Sequence, residues 1–98
     1  YEPVWAISNG TDFADHAVAT DVEAAEAARE IRRQIKALYG VEAAKNVRVL
    51  YGASANVDNA TSFLKAHGID GLLIGGDSLK AHDFSTIVEI AHKIRATA

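Results

Sequence analysis

Residues 72–82 read LLIGGDSLKAH, and the parsing of this stretch decides the fold. From IDG at 69–71 an apolar run leads into a glycine pair, and the chain then takes up helical spacing at once. A continuous apolar run suits a strand covered on both faces, as in a parallel sheet, whereas alternation would mark a strand with one wet face. The helix is expected from about Asp83, with Phe84, Ile87, Val88, Ala91 and Ile94 along one side.

The same order repeats upstream. NVRVLYG at 46–52 reads as a strand, and ASANVDNATSFLKAHG at 53–68 as a turn and a short helix capped by Asn56 and stopped by Gly68. YEPVWAI at 1–7 alternates bulky residues, as a strand running into a loop does, and residues 8–19 carry the turn signal Ser8-Asn9-Gly10 without a clean period. Thr20 and Glu23 have capping-box spacing. Ala24, Ala27, Ala28, Ile31, Ile35 and Leu38 form a helical stripe, so a helix is expected from Asp21 to Tyr39, ending at Gly40. Arg29, Arg32, Arg33 and Lys36 read as its wet face. Strand and helix thus alternate three times, which predicts an α/β chain of three consecutive βα units with parallel strands and with ligands at the strands' carboxyl ends.

Composition narrows the function. The 98 residues are 49% hydrophobic with net charge −3 and scattered Lys and Arg, which offers no basic stripe for nucleic acid or an anionic membrane. No apolar run approaches the roughly 20 residues of a membrane span. There is no cysteine, hence no disulfide or thiolate chemistry, and no methionine, so the chain reads as a piece of a larger unit. A cytoplasmic location is expected. The histidines His16, His67, His82 and His92 show no metal-ligand spacing.

Three features fall at the expected carboxyl ends: Glu2 with Pro3-Val4-Trp5, YGASAN at 51–56, and IGGDSL at 74–79. Singly each has an ordinary reading, as a solvated carboxylate or as turn residues. Gly76-Asp77-Ser78-Leu79 also spells the block of the GDSL hydrolases, in which the serine attacks an ester. Those enzymes draw a histidine from a later Asp-x-x-His segment, and the residues from Lys80 to Ala98 contain none. Ser78 is therefore read as a helix-start residue.

Taken together, YEPVWAI, YGAS and LLIGGDSL, in this order and with a helix between each, resemble the triosephosphate isomerase family over its last three βα units. The resemblance covers essentially the whole chain. It implies the last three units of a TIM (β/α)8 barrel, a fold of eight strands and typically about 250 residues. It implies that Glu2 is the base that moves a proton between adjacent carbons of dihydroxyacetone phosphate and glyceraldehyde 3-phosphate, a step of glycolysis and gluconeogenesis. Proton removal beside a carbonyl calls for a base tuned toward neutrality, which an apolar, water-poor enclosure provides for a carboxylate. The substrate phosphate falls by correspondence to Ser8, Ser54, Gly75 and Gly76. Pro3, Val4 and Trp5 become the hinge of a lid that Gly10 and Tyr51 help to latch.

The resemblance implies no cofactor and no metal. It implies a catalytic Lys and His supplied by the N-terminal part of the barrel, in the same or a complementary chain, and a homodimer when complete. The 98-residue chain alone is then expected to be inactive. The alternative is a half-barrel that binds phosphate without catalysis. Three positions depart from the family pattern: the lid tip is Ser8-Asn9-Gly10 with additional residues before Thr20, Ala53 replaces a glycine, and Asp77 stands where a small neutral residue is usual.

Overall fold

A computed structural model describes residues 1–3 and 19–96. The elements are α1 (Asp21–Tyr39), α2 (Val41–Asn46), β1 (Leu50–Ala53), α3 (Val57–Lys65), β2 (Gly71–Ile74), a 3-10 turn (Gly76–Leu79) and α4 (Ala81–Ala96). β1 and β2 are parallel, with Leu50 opposite Gly71 and Ala53 opposite Ile74. The crossover between them is α3, so β1, α3 and β2 form the expected βαβ unit.

Of the strand expected at 1–7, only the first residues are described, and Tyr1 already pairs with β1. Its nitrogen donates to the Leu50 carbonyl at 2.7 Å, and its carbonyl accepts from the Gly52 NH at 2.9 Å. These bonds flank Tyr51, the parallel pattern, and lie on the edge of β1 opposite β2. The α/β class with parallel strands is as expected, with two strands among the described residues.

Local chemistry explains the helix starts. Thr20 accepts from the Glu23 NH while Glu23 reaches back to the Thr20 NH, the reciprocal capping box at α1. Asn56 and Asn59 make the same exchange at α3. Each cap is worth about 1 kcal/mol. α1 stops at Gly40, whose φ of 98° a side chain would resist, and Gly68, at φ 90°, brings its backbone against the Ala28 Cβ. α2 falls in a stretch where no helix is expected: six residues are too few to show a period. Its presence, with Val47–Val49 leading in, delays the strand to Leu50. α4 begins at Ala81, two residues before the expected start.

The core lies between the sheet and the helices. Tyr51, Phe63, Ile69 and Val49 pack with Ala24 and Ala28 of α1, and the Tyr51 and Phe63 rings stack at 4.0 Å and 10°. A second cluster joins Ala60 and Leu64 of α3 to Ile87 of α4. The apolar stripes fade toward the rim: Leu38 of α1 and Phe84 and Val88 of α4 are exposed.

Among the described residues β2 is covered on one face, as a piece of a barrel taken alone is expected to be: Leu73 is 58% exposed, and Leu50 beside it 40%. Tyr51, Leu72 and Ile74 turn to the helices, and Leu50 and Leu73 to a face that the described elements leave open. One expectation fails here: Arg32 does not belong to a wet surface. Its guanidinium donates to the carbonyls of Ala44, Val47 and Gly68 at 2.7–3.0 Å and to the Asp70 carboxylate at 2.5 Å. Asp70 also accepts from the Val49 NH at 2.8 Å. Burial pushes the Asp70 carboxyl up, but the Val49 and Arg32 hydrogen bonds, with the charges of Arg32 and Arg95, outweigh it and hold the group below its usual value. The pair clamps α1, α2 and both strands at the strands' amino ends. By contrast Arg33 is exposed as expected, and its hydrogen bond to Glu30 lowers that carboxyl to about 2.

Candidate active site

At the carboxyl ends of the strands, the pairing of Tyr1 with Tyr51 fixes where Glu2 goes. Tyr1 lies on the core side, its ring 6.3 Å from that of Tyr51, so the next residue turns to the opposite face by strand alternation. Glu2 is accordingly exposed on the open face, level with Gly52. A Cβ on Gly52 would sit 3.4 Å from the Glu2 Cγ and 3.2 Å from the Leu73 Cβ. Gly52 is thus a floor on which the Glu2 stem lies, with Leu73 alongside. Pro3 follows with its side chain fully buried, so the exposed carboxylate is tethered directly to a fixed residue.

The next strand end carries Ser54, half-buried just past β1. Its carbonyl accepts from the Asn59 Nδ2 at 2.6 Å, and Asn59 Oδ1 in turn accepts from the Asn56 NH at 2.8 Å. Asn59 therefore ties the Ser54 turn to the first turn of α3. Asn56 is legible as a cap from its place before the helix, whereas Asn59 is legible only through the Asn-x-x-Asn spacing, an amide version of the capping box.

Gly75 and Gly76, past the end of β2, are both exposed, and a Cβ built on Gly75 meets nothing within 4 Å. Neither has a positive φ, since Gly40 and Gly68 are the two such glycines among the described residues. The glycine pair is open to an approaching ligand without being conformationally strained. Asp77 is half-buried in the first turn of the 3-10 segment, with Lys80 Nζ 3.6 Å from its carboxylate.

Ser78 is settled by its proton. Its hydroxyl donates to the Gly75 carbonyl at 2.6 Å, and its NH donates to the same oxygen at 2.9 Å. A hydroxyl whose one hydrogen is given to a carbonyl is not activated by a base. It closes the turn that presents the glycines, as a helix-start residue does.

Tyr51 is first a core residue, fully buried against Phe63. Its hydroxyl has no hydrogen-bond partner among the described residues. Burial raises its pKa, helped by the nearby Tyr1 and Glu23. Val4, Trp5, Ser8 and Gly10 lie outside the described residues. The structure thus brings Glu2 and Gly52 into contact and sets Ser54 and the glycine pair at the ends of adjacent strands. Among the described residues no group of His, Asp and Glu is arranged to hold a metal ion, and no helix is long and apolar enough to cross a membrane.

The chain is similar to known proteins over most of its length. The family model for triosephosphate isomerase matches residues 1–91. The triosephosphate isomerase of Borrelia hermsii is 48% identical over 88 residues, 90% of this chain and 32% of that protein. That of Borrelia recurrentis is 47% identical over the same share of each. In Caldanaerobacter subterraneus the enzyme is 46% identical, over 90% of this chain and 33% of its own length. The chain therefore spans about a third of the length of the curated relatives it matches. With two parallel strands joined through a helix and the family model matching residues 1–91, the chain belongs to the triosephosphate isomerase family.

Proposed function

We propose that this chain supplies the base and the phosphate site of a triosephosphate isomerase and works once the rest of the barrel is in place. The observation that carries the proposal is the exposed Glu2 carboxylate seated over Gly52 on the sheet's open face. Glu2 takes a proton from the carbon beside the carbonyl of dihydroxyacetone phosphate, giving an enediolate, and returns it to the neighbouring carbon while the hydroxyl proton passes from one oxygen to the other, giving glyceraldehyde 3-phosphate. No redox partner or cofactor enters that balance. The phosphate is held by NH groups of Ser8, Gly75 and Gly76 and by Ser54. Bare glycine NH groups suit the task because no side chain keeps the phosphate oxygens away. The lid hinged at Pro3, Val4 and Trp5 closes over the substrate and is latched through Gly10 and Tyr51, keeping water from the enediolate.

The open face bearing Leu50 and Leu73, together with the unpaired edge of β2, is where the remaining strands of the barrel pack. That part supplies the catalytic Lys and His and the homodimer contact, and the complete enzyme acts in the cytoplasm. The chain alone has a base but nothing to polarise the substrate carbonyl, and so does not turn over.

The test is Glu2→Gln in the complete barrel. Loss of kcat by several orders of magnitude, with inorganic phosphate still competing at its wild-type concentration, is the expected result. Retained kcat removes Glu2 from the mechanism, and turnover by the purified 98-residue chain removes the need for a completing part.

A further inference from the structure

At the end of the sheet away from Glu2 and Gly75, a groove runs between α1, α2 and the turn before β2. Its lining includes four cationic side chains, Arg29, Arg32 and Lys36 from α1 and Lys45 from α2, with His67 beside them. Val41 and Ala44 supply apolar contact, and no carboxylate lines it. In a chain of net charge −3, this local concentration of one sign has no counterpart at the candidate active site.

The charges are not equivalent. Arg32 is spent, held by three carbonyls and Asp70, and acts as a fixed wall. Lys45 has only a loose partner, Glu42 at 3.9 Å, with both side chains more than two-thirds exposed. Arg29 and Lys36 have no ion pair among the described residues. Glu30, which sits beside Arg29 in sequence, is engaged by Arg33 and Gln34. Two free cations therefore stand on one helix about 10 Å apart along its axis, from a rise of about 1.5 Å per residue, with a third, weakly held, across the groove.

We propose that this groove binds a small anion carrying two or more phosphate groups. A linear di- or triphosphate can set a separate phosphate group against each of these cations, and so satisfies more donors than a single phosphate does. Phosphate is favoured over carboxylate because its charge density matches an arginine fork and a lysine point charge at once. An extended acidic peptide is disfavoured, since the groove is walled by helices and offers no strand edge for main-chain pairing. The site is independent of the triose phosphate site, which lies at the opposite ends of the strands.

The probe is inorganic tripolyphosphate at low ionic strength, titrated calorimetrically into the complete protein that carries this chain, with thermal melting in parallel. Saturable binding is expected that is tighter than for orthophosphate, weakens with added salt, and raises Tm by mass action. Arg29→Gln with Lys36→Gln should weaken it roughly tenfold or more; both side chains are exposed, and an unchanged Tm without ligand verifies the fold. Gly76→Val should leave tripolyphosphate binding intact, which separates this groove from the candidate active site. Absence of saturable binding, binding that survives the double substitution, binding lost in Gly76→Val, or equal affinity for orthophosphate would each overturn the proposal.

Discussion

The Cγ of Glu2 lies 3.4 Å from the position a Cβ on Gly52 would occupy, and the Cβ of Leu73 lies 3.2 Å from the same point. Leu73 Cβ is fixed by the ladder to β1, so a methyl group there must push the side chain that can move, which is Glu2. Gly52→Ala should shift the carboxylate by a few tenths of an ångström. The expected result in the complete enzyme is a fall in kcat of roughly tenfold, given that about 1 Å of misplacement costs on the order of a hundredfold. KM should change little, because the phosphate contacts are elsewhere. Steady-state kinetics check this, and an unaltered kcat would mean that the stem of Glu2 is free to rearrange.

Stability should follow the protonation of Asp70. Its carboxyl is held below the usual value near 3.8 in the folded chain, so its contribution is complete above that value and disappears as pH falls through the depressed folded value. Asp70→Asn should cost about 1–2 kcal/mol at pH 7, a modest figure because the side chain is 39% exposed. The gap in Tm between wild type and variant should begin to shrink below about pH 4 and close as pH falls through the depressed folded value. A gap that stays constant down to pH 2 would show that the carboxylate charge is not what holds the clamp.

How far the sequence disclosed this arrangement depended on whether a feature was local. Thr20, Glu23, Asn56 and Gly40 act within a few residues of themselves, and the helix ends they set appear where expected, whereas α3 stops at Lys65, short of Gly68. Arg32 depended on distant partners. It falls four residues after Ala28 and three before Ile35, inside the apolar stripe of α1, yet its acceptors at Ala44, Gly68 and Asp70 become neighbours only once α2 and β2 are packed. The exposure of Leu73 follows from reading the chain as part of a barrel: its apolar character describes what the position needs for cover, and the described elements leave that face bare. In the site, Glu2 and the glycine pair were legible as a motif, while the role of Gly52 as a floor emerged only from the register of Tyr1 against Tyr51.

Tyr51 offers a test of the lid. Its hydroxyl is buried without a partner among the described residues, a situation that costs about 1–3 kcal/mol if nothing satisfies it. If the lid supplies the partner on closing, Tyr51→Phe should keep the stack on Phe63 and the fold, while kcat/KM falls roughly tenfold from a weakened closed state. Kinetics and melting read together decide the matter. A higher Tm with unchanged kcat/KM would make Tyr51 a core residue and nothing more.

Gly76-Asp77-Ser78-Leu79 spells two chemistries, and three variants separate them. The Ser78 hydroxyl hydrogen is committed to the Gly75 carbonyl at 2.6 Å, so Ser78→Ala should cost about 1 kcal/mol of local stability and leave turnover nearly unchanged. Gly76→Val should raise KM sharply. The ground for this is approach rather than strain: Gly76 has no positive φ, but a branched side chain would stand in the path of the phosphate. Asp77→Ala removes a like charge and releases Lys80, now 3.6 Å from that carboxylate, so inorganic phosphate should compete at lower concentration. All three variants can be compared in the complete enzyme with glyceraldehyde 3-phosphate as substrate and phosphate as competitor. A Ser78→Ala enzyme that is dead, beside a Gly76→Val enzyme that works normally, would place the chemistry on the serine and overturn the assignment of the glycines to phosphate.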